Sequence, residues 1–460
     1  MTDIILRDYQ ETAVHDLRTA YAQGAKAPIL VMATGAGKTY TFCYICLSAI
    51  RKGGRVLILV HKDDLIRQCS KSLANLGIAH GIISPNFTPD YFAPVQIASV
   101  FSLKADMPLE AFSLVIIDEA HHGTASSWRT ALGLFPNAKI LGVTATPRRT
   151  DGQGLGVESG GVFDALVQGP QLRELIDRNV LCDYEYYAPA VGLDSGQRVG
   201  DALKYWEQIC PGVPTVGFCV NVEDAKRLAD TFKAAGYRAA HLDGTMKTDH
   251  RQGLLDSLAA GELDLVASCR TITEGTDVPE MTCAMLMTYS KSVSYFMQIT
   301  GRCFRKAESK DKAYILDCVN LVGTHGLPCD DREWSLAGGG ESKSIATERT
   351  KTIRTCERCF RPFYMSASRK CVHCGHEQSL NAKEIKEIEA ELIKVEREEQ
   401  RKKEEAERWH KTKERAKADS YEALLEVERS RKYKPGWAKM VYQARQKKKA
   451  AEGKGKLFGL

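Results

Sequence analysis

Four groups of residues in this 460-residue chain have the types and spacing to do chemistry. The first is Thr34-Gly35-Ala36-Gly37-Lys38-Thr39, which follows the apolar run 28–32 and opens an apolar helical stretch reaching Ile50. A buried strand, a glycine turn and a helix N-terminus make a phosphate cradle, because backbone N–H groups point inward and the helix dipole adds positive charge. Lys38 would reach the β- and γ-phosphates and Thr39 would ligate Mg²⁺. The longer form of this motif has glycine where the chain has Met32; what remains is the part that touches phosphate.

The second group is Asp118-Glu119, delivered by the apolar run 112–117. Two adjacent carboxylates are costly to bury without a cation. At the C-terminal edge of a parallel sheet, where such sheets bind ligands, Asp118 would hold Mg²⁺ and Glu119 would orient and deprotonate water. Thr144 and Thr146 end a similar run and could link this pair to a second domain. The third group is Gln298, Arg302 and Arg305; the two arginines, three apart, are expected on one helical face, where a γ-phosphate would satisfy both. The fourth is Cys356-x2-Cys359-x11-Cys371-x2-Cys374. Two knuckles of paired thiolates are the tetrahedral set that Zn²⁺ prefers, with His373 and His376 as unnecessary extra ligands.

The elements that must position these groups alternate strand and helix twice over. Strands are expected at 28–32, 55–60, 95–100, 112–117 and 138–144, then at 215–219, 239–242 and 263–267, with helices between them. Continuous apolar strands belong to parallel sheets covered on both faces. The fold class is therefore α/β, with two doubly wound domains in tandem. The expected boundaries are a first domain at 1–168, a connector at 169–182, a second domain at 183–334 and a linker at 335–350. A four-cysteine zinc module at 351–378, a charged helical segment at 379–430 and a basic arm at 431–460 follow. The segment 431–456 carries ten Lys and Arg against Glu452 alone, and Tyr433, Trp437 and Tyr442 interleave with them. That is a footprint for nucleic acid or a solvated tail. No signal peptide and no apolar run of membrane-spanning length is apparent, so the fifteen cysteines suggest a reducing cytoplasm, in a bacterial or phage-infected cell.

The order of these motifs resembles that of the superfamily 2 helicases, and most closely the RadD-like and phage-encoded DNA helicases with a zinc module. Residues 6–10, with Arg7 and Gln10, are similar to the adenine-reading motif, and 33–39 to motif I. His61 and Lys62 with the following residues through Gln68, and then Ser99, resemble strand-contacting motifs Ia and Ib. Asp118–His121 matches motif II in its DEAH form, and 144–146 motif III. Thr273, Gly275 and Asp277 fall in motif V; Gln298, Gly301, Arg302 and Arg305 fall in motif VI. The resemblance implies two RecA-like domains with ATP in the cleft between them and nucleic acid across both. It also implies Asp277 at the ribose, Gln298 near the γ-phosphate and Arg305 as an arginine finger beside Arg302. An ATP-dependent DNA helicase or translocase follows. The rival readings are a translocase subunit of a restriction or defence complex, an RNA helicase, and a DNA-binding adaptor with a vestigial ATPase core. Intact Lys38, Glu119 and Arg305 speak against the last.

Overall fold

Val56, Ile58 and Val60 pack into one hydrophobic layer and Leu57 and Leu59 into another. This period of two makes Arg55–Val60 a strand buried on both faces, and its neighbours follow the same rule. The computed structural model describes residues 4–103, 112–122, 125–149, 152–189, 195–269, 271–272, 278–337, 353–365, 370–379, 420–430, 434–443 and 446. The chain forms two bodies, Met1–Ser379 and Leu380–Leu460.

The first body begins with α1 (Asp8–Ala22), β1 (Pro28–Val31), α2 (Lys38–Ile50), β2 (Arg55–Val60), α3 (Asp63–Asn75), β3 (His80–Ile83) and β4 (Val95–Ser99). It continues through β5 (Phe112–Asp118), α4 (Ala125–Leu132), β6 (Lys139–Thr144) and β7 (Ala165–Gln168). The strands form one seven-stranded sheet in the order β3-β4-β2-β5-β6-β1-β7, with every pairing parallel. All C-terminal strand ends therefore share one edge. β7 is too short to show in the hydrophobic pattern. It is fixed by pairing with β1 and by Asp164, whose carboxylate accepts from the N–H groups of Lys26 and Ala27 at 2.6 and 3.0 Å.

After α5 (Leu172–Asp177), a second parallel sheet is built from β8 (Tyr184–Tyr187), β9 (Thr215–Cys219), β10 (Ala239–Leu242), β11 (Leu265–Cys269), β12 (Cys283–Leu286) and β13 (Ala313–Asp317). Its order is β10-β11-β9-β12-β13-β8. The helices α6 (Ser195–Ile209), α7 (Val222–Ala234), α8 (Thr248–Ala259) and α9 (Val293–Arg302) connect these strands, and α10 (Leu321–His325) follows the last of them. Trp206 and Phe232 are wholly buried on one face, and the Trp206 indole donates to Thr215 Oγ1 at 2.8 Å. β11 starts two residues later than its apolar run suggests. Asp264 is held outside the strand, accepting from the Arg238 backbone N–H at 2.8 Å and its guanidinium at 2.6 Å.

The four-cysteine segment carries the antiparallel pair β14 (Ile353–Thr355) and β15 (Pro362–Tyr364) and docks on β8, the edge of the second sheet. Arg361 reaches Glu185 at 2.6 Å and the Tyr187 hydroxyl at 2.8 Å, and Ala188 N–H donates to the Phe360 carbonyl at 2.8 Å. Tyr364 OH donates to Asp330.

In the second body, the helix Tyr421–Ser430 packs on helical residues 437–443 through Leu424, Ala438 and Val441. Tyr421 and Tyr442 lie 5.6 Å apart between ring centroids, so Tyr442 serves this small core. The charged helix expected over 381–418, Tyr433 and most of the basic arm lie outside the described residues.

Candidate active site

The glycine turn adopts the cradle shape. Gly35 and Gly37 have φ of +84° and +82°, a left-handed conformation that side chains disfavour. A Cβ on Gly37 would lie 2.5 Å from Gln10 Nε2. Gln10 is buried and is no surface residue: its Nε2 donates to the Ala36 carbonyl at 3.2 Å, and its Oε1 accepts from Arg7 N–H at 3.0 Å. Tyr9 OH donates to the same carbonyl at 3.2 Å and accepts from the Arg7 guanidinium at 3.1 Å. The stretch 7–10 thus braces the loop from behind.

β5 brings Asp118 and Glu119 to the sheet edge. Glu119 has φ of +46°, a strained position for a long side chain that costs about 1–3 kcal/mol. The turn is locked: Asp118 Oδ1 accepts from Glu119 N–H at 2.9 Å, and Ala120 N–H donates to Val143 O at 3.0 Å. Beneath, burial and then the Asp118 charge push the Cys43 thiol up to about 12, so it is inert packing.

His121 joins the sheets. Gln298 Nε2 lies 3.3 Å from His121 Nε2, and His121 Nδ1 lies 2.9 Å from Thr144 Oγ1 and 3.4 Å from Glu119 Oε2. Thr144 Oγ1 in turn donates to Thr146 O at 3.1 Å. With the Gln298 amide donating, a directed chain results, amide to imidazole to hydroxyl to carbonyl, in which His121 Nδ1 is the donor. The link from the carboxylate turn to the second sheet is thus His121, a histidine whose part the residue pattern alone did not reveal; Thr144 and Thr146 hold its other nitrogen from within the first sheet and do not themselves reach across.

The second sheet supplies the other wall. α9, capped by Ser292 Oγ accepting from Tyr295 N–H, ends at Arg302, so Arg302 and Arg305 do not share a helical face. The chain leaves the helix because Phe304 is wholly buried and its carbonyl accepts from Cys182 N–H at 2.8 Å. Both arginines nevertheless line one cavity of about 470 Å³ with Thr34, Gly35, Gly37, Lys38, Thr39, Asp118, Glu119 and Gln298. Tyr40, Leu65 and Gln68 also line it; Leu65 and Gln68 fall in the stretch likened to motif Ia, Tyr40 carries no motif, and the folded geometry brings all three to the phosphate loop. Lys38 Nζ reaches toward the Met32 carbonyl at 3.5 Å. Ala36 is buried and presents its carbonyl to Tyr9 and Gln10, away from the lining residues.

Elsewhere on the first sheet's C-terminal edge, His61 is half-buried, Lys62 is exposed and Ser99 is buried. The rings of His61 and His122 lie 4.3 Å apart. Thr273, Gly275 and Asp277 lie outside the described residues.

The four cysteine sulfurs lie within 4.8 Å of one another, with Cys356–Cys374 at 3.6 Å and Cys359–Cys371 at 3.7 Å. Four thiolates around a tetrahedral metal at about 2.3 Å would be about 3.8 Å apart. Arg358 and His373 N–H groups donate to Cys356 and Cys371 sulfurs at 3.4 Å, as suits thiolates. His373 Nε2 faces the Pro362 carbonyl at 3.3 Å. The cluster fits a metal by number, distance and charge.

Two parallel sheets that close one phosphate cavity between them define a nucleotide-hydrolysing RecA-like pair. Residues 3–149 match the family model described as the type III restriction enzyme, res subunit, and 202–307 the helicase conserved C-terminal domain. A 51.5 kDa protein of a Lactococcus phage (isolate 7-9) is 29% identical over 79% of this chain and 81% of its own length. The Schizosaccharomyces pombe protein irc3, named as a mitochondrial ATP-dependent helicase, is 29% identical over 72% of this chain and 60% of its own. The chain thus spans less than two thirds of that yeast relative. A solved HsdR-subunit fragment of a type I restriction enzyme from Vibrio vulnificus YJ016 shares the fold. Its TM-score is 0.56 at 22% identity, covering 70% of this chain and 67% of that one. The chain belongs to the superfamily 2 helicases and is an ATP-hydrolysing enzyme of that class.

Proposed function

We propose that this chain is an ATP- and Mg²⁺-dependent DNA helicase or translocase that moves along or unwinds DNA in replication, recombination or repair. The observation that carries this reading is the single cavity lined by the phosphate loop and carboxylates of one sheet and the glutamine and arginines of the other. The loop N–H groups and Lys38 would hold the phosphates. Thr39 and Asp118 would hold Mg²⁺, which supplies charge neutralisation when bound. Glu119, fixed by its strained turn, would take the proton of the attacking water. Arg305, with Arg302 beside it, would stabilise charge on the transferred phosphoryl group, and Gln298 would report its presence through His121. Gly275 and Asp277 are assigned to the ribose side, and His61, Lys62, Ser99 and Thr273 to the strand, by motif order alone. Arg7 and Gln10 are assigned to the base side of the nucleotide on the same ground.

Zn²⁺ is the metal proposed for the four cysteines, with a structural role, since the segment has little apolar content to fold on. A cytoplasmic setting is proposed because all fifteen cysteines are free of disulfides. No described helix is long and apolar enough to cross a membrane.

The test is ATP turnover with and without single-stranded DNA. DNA is expected to stimulate it, and Glu119→Gln is expected to abolish turnover while nucleotide and DNA binding persist. A rate indifferent to DNA, or turnover retained in the variant, contradicts the reading. The res-subunit match over 3–149 favours one second reading, a translocase subunit of a restriction complex. Consistent recovery of a nuclease subunit with the chain would select it. RNA duplexes run beside DNA in the same assays test the RNA alternative.

A further inference from the structure

We propose that Phe101 and Tyr289 are base-stacking residues, one on each RecA-like domain, for single-stranded nucleic acid; this rests on the nucleic-acid reading above. Phe101 is 76% exposed in the turn Val100–Ser102, just beyond the C-terminal end of β4. Its neighbours do the opposite: Val100 is buried and Leu103 packs on the same core. The turn is anchored on both sides of a phenyl ring left in water.

Position separates this ring from an ordinary exposed apolar residue, of which every surface has some. The strands β4, β2 and β5 are neighbours, and their C-terminal ends present Phe101, then His61 with exposed Lys62, then His121 and His122. The His61 and His122 rings lie 4.3 Å apart, and those of His121 and His122 4.0 Å. The edge therefore carries exposed Phe101, half-buried His61 and His122 and exposed Lys62, with His121 itself buried, on the side that carries the catalytic carboxylates.

The second sheet carries a comparable ring, whose hydroxyl lies 3.5 Å from Thr324 Oγ1. Tyr289 follows β12 at that sheet's C-terminal edge and is 53% exposed, while Met287 and Thr288 before it are buried. Its loop is pinned, because His325 Nε2 meets the Ser290 carbonyl at 2.7 Å and Ser292 N–H donates to Ser290 Oγ at 3.0 Å. Rigid aromatic rings next to cations suit bases, since every base has a π-face and stacking needs no sequence. One ring per domain would let nucleotide-driven closure change the number of bases held between them.

The experiment titrates wild type, Phe101→Ala, Phe101→Leu, Phe101→Trp and Tyr289→Ala with oligothymidylate and with an abasic oligonucleotide of equal length. Phe92, 96% exposed but before β4 at the opposite sheet edge, gives the control Phe92→Ala. Phe101→Ala, Phe101→Leu and Tyr289→Ala are expected to weaken oligothymidylate binding roughly five- to hundred-fold. Phe101→Trp and Phe92→Ala should bind as wild type. DNA-free ATP turnover should be unchanged throughout, and on the abasic strand the differences should vanish. Wild-type-like binding by the Ala variants, full rescue by leucine, or equal losses on the abasic strand would overturn stacking. Wild type that binds neither strand would instead overturn the nucleic-acid reading itself.

Discussion

Gly301 is small because Thr34 of the phosphate loop fills the space beside it. A Cβ there would sit 2.7 Å from Thr34 Cβ, across the boundary between the two sheets. Gly301→Ala must therefore push α9, and with it Gln298 and Arg302, away from the loop. Because small misplacements of catalytic groups are expensive, turnover is expected to fall about 100-fold, with ATP binding and melting temperature little changed. Comparison of kcat with the thermal midpoint checks this, and an equal loss of both would place the residue in folding instead. Single residues were also where the sequence said most about chemistry. Lys38, Thr39, Asp118, Glu119, Gln298, Arg302 and Arg305 line one cavity, although the first and last are more than 260 residues apart. His121 escaped weight because a histidine's part depends on what its two nitrogens meet, and Thr144 and Gln298 are far away in sequence.

At the scale of elements, the continuous apolar runs were legible, as were the four-residue β1 and β10, whereas other short strands were not. β2 and β9 lie where their hydrophobic runs place them, because burial on both faces leaves no freedom in register. β3, β7 and β8 are four residues each, and tertiary pairing rather than pattern creates them. The docking of the four-cysteine segment on β8 was equally hidden, since it rests on scattered contacts, the Ala188–Phe360 backbone bond, Tyr364 on Asp330 and a charge cluster at Glu185. Burial pushes the Glu185 carboxyl up, but hydrogen bonds from Lys312, Tyr187 and Arg361 outweigh it and bring it down to about 2 from an ordinary 4.5. A lowered carboxyl adds stability that is complete above the ordinary value and fades as pH falls toward the folded one. The stability lost in Glu185→Gln is therefore expected to be constant from neutral pH down to about 5, and to shrink only below about 4.5. Melting of both proteins across that range checks it, and a difference that already shrinks near pH 6 would contradict it.

Over the whole molecule, neither sheet alone holds the proposed site. On that reading the first would supply the phosphate cradle with Lys38, the metal ligands and the base; the second would supply the two arginines and the glutamine. Hydrolysis then depends on how the two stand together, which is the property a motor needs. The most direct test is Arg305→Ala, measured at saturating DNA and ATP. The arginine belongs to the second domain, so its loss should leave nucleotide binding by the phosphate loop within a few-fold of wild type. Fingers of this kind are worth about 10³–10⁵ in turnover, and kcat is expected to fall on that scale. A variant whose kcat matches wild type would show that the first domain hydrolyses ATP without the second, and would contradict the account.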